Sequence, residues 1–483
     1  MSKAMSVRAI VWFAIATAIL TAVVLVQVFR GAAGPETVNP AVQAAAFSAA
    51  SVLLVAFLLP GFIRRFDLEM VRWLPWSVGG VSALLSLVPW WLVAGGYPEW
   101  ASAIYRGLRL PQGIEQFWDL ALVLRSVDCA SYGIDVYAAN NGCLQDPSIY
   151  GPGTLWLQYA PFDLFSARFA PALGVIAILV SSLVLVWLAR FSSGRGALVL
   201  LVAAVGAPWL LLLERGNFDA FVIWVAAGSV LLVRRWNSLW MWSLAASGIW
   251  LMGTWKYYPF AMGLMLIPLL RIKRGWIVLV AYLAASLAFV AVTWENFRFS
   301  ASSNAGMVDL GDVVVLGRIP LVSRMFEAQA NAASLQAGDL LVYGVAVLAL
   351  VWGVVFALAL GSPRVHEAML AIAGSSMFLI SVLVSGFGYA YKAAFLLLAV
   401  PLLGRPARPG SRAVLYSSIV MLSLIAVNST VVWNTILATL AGIIAASFAF
   451  GAAAATLARL LVGKQLPQGE RPGLGSGNHA VTG

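Results

Sequence analysis

The chain has 483 residues, 62% of them hydrophobic and 10% charged, with a mean hydropathy of +0.91. That balance excludes an ordinary water-soluble domain, in which about a quarter of the residues carry charge. The net charge of +11 does not point to nucleic acid, because the basic residues sit in small groups between apolar runs and form no single patch.

About fourteen apolar runs of near membrane-crossing length follow one another, at 8–29, 41–63, 76–95, 168–190, 197–213, 218–233, 238–255, 257–270, 275–294, 339–361, 367–386, 390–404, 413–433 and 435–461. The pattern predicts an all-α fold, a polytopic transmembrane helical bundle. The first run follows Lys3 and Arg8 and precedes Gly31-Ala32-Ala33-Gly34, as a signal peptide would. At about 20 residues it exceeds the usual signal core of ~7–15 and is read as an anchor. The runs at 218–233 and 257–270 are short for a ~30 Å bilayer and are expected to be tilted, broken or partly buried in protein.

The connections alternate in charge. Arg64, Arg65 and Arg72, then Arg190 and Arg195, Arg234 and Arg235, Arg271, Lys273 and Arg274, and Arg405, Arg408 and Arg412 all fall on one side. The positive-inside rule makes that side cytoplasmic, together with both termini. The tail 464–483, rich in Gly, Pro and polar residues, is expected to be disordered there.

Two long connections fall on the other side, at 97–152 and 295–338, both carrying acids and aromatics; loops of that length are usually functional. In the first, Phe117, Leu120, Ala121, Leu124 and Val127 recur at helical spacing, which predicts an interfacial helix with Asp119 near its start. The chain's two cysteines, Cys129 and Cys143, lie in the same loop, and an oxidising exterior favours a disulfide between them. Three polar strings at span edges converge on that face: Glu214-Arg215-Gly216-Asn217-Phe218-Asp219, Lys256-Tyr257-Tyr258-Pro259, and Phe387-Gly388-Tyr389-Ala390-Tyr391-Lys392. Charges at a bilayer edge are costly and mark candidate sites.

Asp119-Leu120, Gly133-Ile134-Asp135-Val136-Tyr137 and Tyr150-Gly151-Pro152 together resemble the first outer loop of bacterial integral-membrane glycosyltransferases of the C-type (GT-C) fold. The most similar group contains the actinobacterial polyprenyl-phosphomannose-dependent mannosyltransferases. Arg215-Gly216-Asn217-Phe218-Asp219 and Lys256-Tyr257-Tyr258-Pro259 resemble paired motifs of that group, and Tyr391-Lys392 stands where Tyr-Arg is expected. The resemblance covers roughly residues 115–405, and the spans before Ser77 are additional to the simplest pattern.

The resemblance implies transfer of a sugar, mannose or another hexose or pentose, from a polyprenyl phosphate to a lipid or cell-envelope glycan at the outer face. Such a reaction needs a base for the acceptor hydroxyl and positive charge for the departing phosphate. By resemblance Asp119 is the base, with inversion at the anomeric carbon, and Asp135 is the alternative base or an orienting acid. Arg215, Lys256 and Lys392 are candidate phosphate partners. Tyr137, Tyr150, Tyr257, Tyr258 and Trp255 are candidates to stack on sugar or line a prenyl groove, with Asn217, Asp219 and Tyr391 completing the binding set. No cofactor is implied.

Each residue has a structural alternative. Asp119 could sit at a helix start for the macrodipole, and Asp135 could make a turn hydrogen bond. Glu214 and Arg215 could pair at a bend, Asn217 and Asp219 could cap the next helix, and Lys256 could snorkel. The histidines, His366 and His479, map to the basic side, and no Cys/His cluster has metal spacing. No P-loop or dinucleotide glycine pattern occurs. The rival class is a transporter or flippase of lipid-linked glycans, which should place ionisable residues near the midplane of discontinuous helices. A third reading is a non-catalytic scaffold.

Overall fold

The computed structural model describes residues 74–107, 116–138, 141–144, 147–306, 315–316, 337–360, 365–383, 388–404, 416–417, 420–421, 423–424 and 435–462. The apolar runs at 8–29 and 41–63, most of 413–433, much of the loop 295–338 and the tail 464–483 lie outside them.

Helices dominate. They are α1 (Leu74–Ala94), α2 (Pro98–Gly107), α3 (Trp118–Ser131), α4 (Ala170–Phe191), α5 (Gly194–Ala204), α6 (Ala207–Glu214) and α7 (Asp219–Arg235). Then come α8 (Leu239–Lys256), α9 (Gly275–Val292), α10 (Trp294–Gly306), α11 (Ala337–Ala359), α12 (Val365–Leu383), α13 (Val400–Leu403) and α14 (Thr435–Val462). Two antiparallel two-residue strands pair Val315 with Tyr389 and Leu316 with Gly388.

Among the described residues, five helical stretches are long and apolar enough to cross a bilayer, namely Leu74–Ala94, Ala167–Phe191, Gly275–Val292, Val365–Val382 and Ala441–Val462. A sixth is formed if α5 and α6, bent by 57° at Val205-Gly206, count as one. This is the build of a helical membrane protein. Several of the remaining apolar runs fold as helices shorter than a bilayer.

The shortest run reaches further than an α-helix would. Residues Tyr258–Arg271 form a 3₁₀ helix, as do Ala390–Ala399. At about 2.0 Å per residue, fourteen residues extend about 28 Å, against about 21 Å as an α-helix. Pro268 lies inside the first segment and has no N–H to donate to a helical ladder of either kind.

The core is layered around α12, which packs against α14, Tyr258–Arg271 and Ala390–Ala399. Within its span window 78% of residues are buried, against 11% for α9, so α12 is central and α9 peripheral. Some of the polar side chains in the apolar interior are paired across helices, as burial favours. Ser82 of α1 accepts from Ser182 of α4 at 3.1 Å and from the Trp209 indole of α6 at 2.8 Å. The Trp224 indole of α7 donates to Ser181 at 2.9 Å.

Expectation and structure differ at α3. The residues Phe117, Leu120, Ala121, Leu124 and Val127 are all buried, as the periodicity predicts. They are covered by protein, because α3 packs on the 3₁₀ segments Pro152–Tyr159 and Ala167–Phe169 and on α4. Asp128 fixes that cover, accepting from the Ala167 backbone N–H at 2.9 Å. The helix is thus a part of the bundle's end, and its apolar stripe does not face lipid.

Candidate functional site at one end of the bundle

The site begins where two helix ends meet. The last carbonyls of α6 and the first N–H groups of α3 are orphans of their own helices, and they satisfy one another. The Phe117 N–H donates to the Glu214 carbonyl at 2.9 Å, and the Asp119 and Leu120 N–H groups donate to the Arg215 carbonyl at 3.1 and 3.3 Å. Gly216 makes the turn at φ +59°, and a Cβ there would stand 3.0 Å from the Leu120 Cβ. Only glycine fits both the left-handed backbone and the gap.

This junction aligns the charges. Arg215 donates from its guanidinium to Asp119 Oδ1 at 3.2 Å, and the Asn217 amide donates to Asp119 Oδ2 at 2.5 Å. Asn217 Oδ1 accepts from Lys256 Nζ at 2.7 Å and from the Asp219 N–H at 3.0 Å. Lys256 also pairs with Asp219 Oδ1 at 2.5 Å, and the Tyr258 hydroxyl donates to the same oxygen. Asp119 and Asp219 occupy the first turns of α3 and α7, where the helix dipoles favour negative charge. Asn217 thus holds the first N–H of α7, and the same side chain joins Asp119 to Lys256. Lys256 does not snorkel outward, since its side chain is 11% exposed and tied to Asp219.

Accessibility separates the two carboxylates. The Asp219 side chain is fully enclosed, whereas Asp119 and Arg215 are 11% and 16% exposed. Glu214 is buried with one carboxylate oxygen lacking a hydrogen-bond partner.

The third motif enters from the other direction. In a 3₁₀ helix side chains at i and i+3 eclipse, so Lys392 and Phe395 share a face, and both meet Tyr258. The Lys392 ammonium stands 4.8 Å from the ring centroid and the Phe395 ring 5.8 Å. Among the described residues no carboxylate lies within ion-pair distance of Lys392, which is itself buried, as is Tyr391.

The loop after α3 supplies the tyrosines. The Gly151 N–H donates to the Trp255 carbonyl at 2.7 Å. A Cβ on Gly151 would fall 2.2 Å from the Thr254 carbonyl oxygen, and one on Gly153 would fall 2.1 Å from the Thr254 hydroxyl. The Gly-Pro-Gly string thus lies directly on the end of α8. Lys256 Nζ consequently sits 5.1 Å from the Tyr150 ring centroid. The Tyr137 hydroxyl donates to the Tyr150 carbonyl at 3.0 Å, and burial pushes its phenol up, so it remains a donor. Trp255 packs edge-on to Phe218, and Tyr257 turns the chain at φ +60°, a strained conformation for a non-glycine residue.

Asp135 stands apart. It is exposed, and its Oδ1 accepts from the Tyr137 N–H at 3.0 Å in an Asx turn; no hydrogen bond or ion pair among the described residues joins it to the network. Cys129 and Cys143 form a disulfide with Cα atoms 6.1 Å apart. Sequence reasoning placed Phe117 on the apolar stripe of α3 but missed its left-handed backbone, which sets the start of the helix. It also missed α10, where Tyr257 meets the Phe297 ring and Ser300 donates to the Ile149 carbonyl at 2.7 Å. The Gly at 216 was the available signal for the first, and nothing marked the second. Among the described residues, no three Asp, Glu, His or Cys side chains converge as a metal set.

The fold and site define a helical membrane protein with a buried, charge-paired cluster at one end. Comparison with protein-family models, curated proteins and solved structures finds no match for the chain.

Proposed function

We propose that the protein is a membrane glycosyltransferase that moves a sugar from a polyprenyl phosphate to a lipid or cell-envelope glycan hydroxyl at the outward face. The observation that carries this reading is the uneven pairing of the cations. Arg215 and Lys256 are each held by a carboxylate, while Lys392 has none among the described residues. A buried ammonium with no carboxylate in direct contact suits an anionic ligand such as a phosphate.

Asp119 is the base in this scheme. It is the more accessible of the two paired carboxylates, and each of its oxygens accepts one hydrogen bond, leaving lone pairs for an incoming hydroxyl. The acceptor oxygen attacks the anomeric carbon, and its proton passes to Asp119. The bond from that carbon to the phosphate oxygen breaks, and polyprenyl phosphate leaves with the electron pair toward Lys392. Enclosed Asp219 is a positioning residue that holds Lys256 and Tyr258. Mannose is the sugar suggested by the sequence resemblance.

The rival transporter reading expects charge at a helix break inside the membrane. The break between α5 and α6 falls at Val205-Gly206, within the apolar string Ala203–Pro208, and the charges gather at helix ends. Surface chemistry on a lipid-borne substrate is the better fit.

The test is transfer by purified, reconstituted protein offered labelled polyprenyl-phosphate sugars with envelope lipid as acceptor. The unaltered chain should form a labelled product, and Asp119→Asn should lose at least about a hundredfold, the usual contribution of a general base. Binding of polyprenyl phosphate with no product from any donor would turn the assignment to a flippase or scaffold.

A further inference from the structure

The opposite end of the bundle carries a second charged feature, formed by the ends of α4 and of the two helices that pack on it, α1 and α7. The Arg190 guanidinium in the last turn of α4 lies 4.5 Å from the centroid of the Trp76 ring on α1. Arg234, in the last turn of α7, lies 4.7 Å from the Phe191 ring, next in the chain to Arg190. The Phe191 ring is itself stacked on Trp187 at 5.2 Å and 12°. Two arginines from different helices thus each lie over an aromatic ring at this end, and the ring under Arg234 is the chain neighbour of Arg190.

Both arginines are exposed, and among the described residues neither has a carboxylate within ion-pair distance. A ring occupies the face of each guanidinium and leaves its in-plane N–H fork open, the geometry that grips a phosphate with two hydrogen bonds. Arg168 near the other end provides a contrast, since it also covers a ring, Phe169 at 4.7 Å, but pairs with Asp163 at 3.7 Å. Exposed indoles flank the pair: Trp76, Trp236 and Trp240 are 53%, 54% and 71% exposed. Such indoles settle at the level of lipid headgroups.

We infer that Arg190 and Arg234 form a binding site for the phosphate of an anionic phospholipid at the basic end of the bundle. The Trp76 and Phe191 rings hold the two forks at headgroup depth, and the apolar flanks of α1 and α4 accommodate acyl chains. Basic pockets between membrane helices recognise anionic lipid in this way. The inference is independent of the glycosyltransferase reading.

Native mass spectrometry of the full chain in detergent tests it by counting retained lipids during titration with phosphatidylglycerol or phosphatidylcholine. The unaltered chain should retain phosphatidylglycerol in preference. Arg190→Gln and Arg234→Gln should each weaken that retention about fivefold, and the double variant about thirtyfold, at about 1 kcal/mol per arginine. Phosphatidylcholine retention should not change, and Arg168→Gln should behave as the unaltered chain. The single variants serve if the double one fails to fold. Equal retention of the two lipids, undiminished phosphatidylglycerol binding in either single variant, or displacement of phosphatidylglycerol by millimolar inorganic phosphate would overturn the assignment.

Discussion

Lys256 and Lys392 are both buried lysines beside Tyr258, yet their surroundings predict different losses. Lys256 is bonded to Asp219 and Asn217, so removing its partner leaves an uncompensated buried charge, an effect of about 3–5 kcal/mol. Asp219→Ala should therefore lower the melting temperature of the detergent-solubilised protein strongly, and an unchanged melting curve would contradict the pairing. Lys392 has no carboxylate within ion-pair distance among the described residues, so Lys392→Gln should leave stability nearly intact and weaken binding of polyprenyl phosphate, by about tenfold or more for one charge-assisted contact. Measuring both properties on both variants separates the holding lysine from the ligand-facing one. The sequence presented the two as similar candidates, because partner choice depends on side chains 37 or more residues away.

At the scale of elements, the loop between α3 and the Gly-Pro-Gly string is held at several points. Cys129–Cys143 closes it, Tyr137 bonds its far end, and Gly151 lies on α8. Cross-linking across a sequence separation of 14 corresponds to about 3 kcal/mol in the chain-entropy account. Paired Cys129→Ser and Cys143→Ser substitutions should lower the melting temperature, and reduction of the unaltered protein should have the same effect. Gly151→Ala should be more selective. Its Cβ would meet the Thr254 backbone, which cannot yield, so the loop should lift and take Tyr150 from Lys256. The expected readout is loss of transfer with a modest change in melting temperature; full transfer in this variant would show that the contact is dispensable. The helical period of Phe117 to Val127 made α3 legible in the sequence. The covering of its apolar face by the Pro152–Tyr159 and Ala167–Phe169 segments was not legible, because irregular 3₁₀ turns carry no strong periodicity.

For the whole molecule, arginine asymmetry and helix direction give one expectation. Single cysteines introduced at Asn237 and Lys273, in a background without Cys129 and Cys143, should react with an impermeant maleimide only after the membrane is opened. Cysteines placed at Asp135 and Asp163 should react in intact cells. Labelling of all four from outside would overturn the proposed orientation and, with it, the outward position of the cluster.

Composition and hydropathy determined by themselves that this is a helical membrane protein, because the cost of burying polar backbone in lipid leaves few alternatives to helices. They also flagged the polar strings, since charge near a bilayer is rare enough to stand out one residue at a time. Tertiary structure decided what those strings are to one another. It joined Asp119 to Arg215 and Asn217, enclosed Asp219 behind Lys256 and Tyr258, left Lys392 without an ion-paired carboxylate among the described residues, and kept Asp135 in its local turn. It also extended the apolar run after Lys256 as a 3₁₀ helix, giving it a reach that residue counting with α-helical rise understates. The physical reason is range: hydropathy sums over neighbours in the chain, whereas an ion pair and its exposure depend on which distant segments pack together.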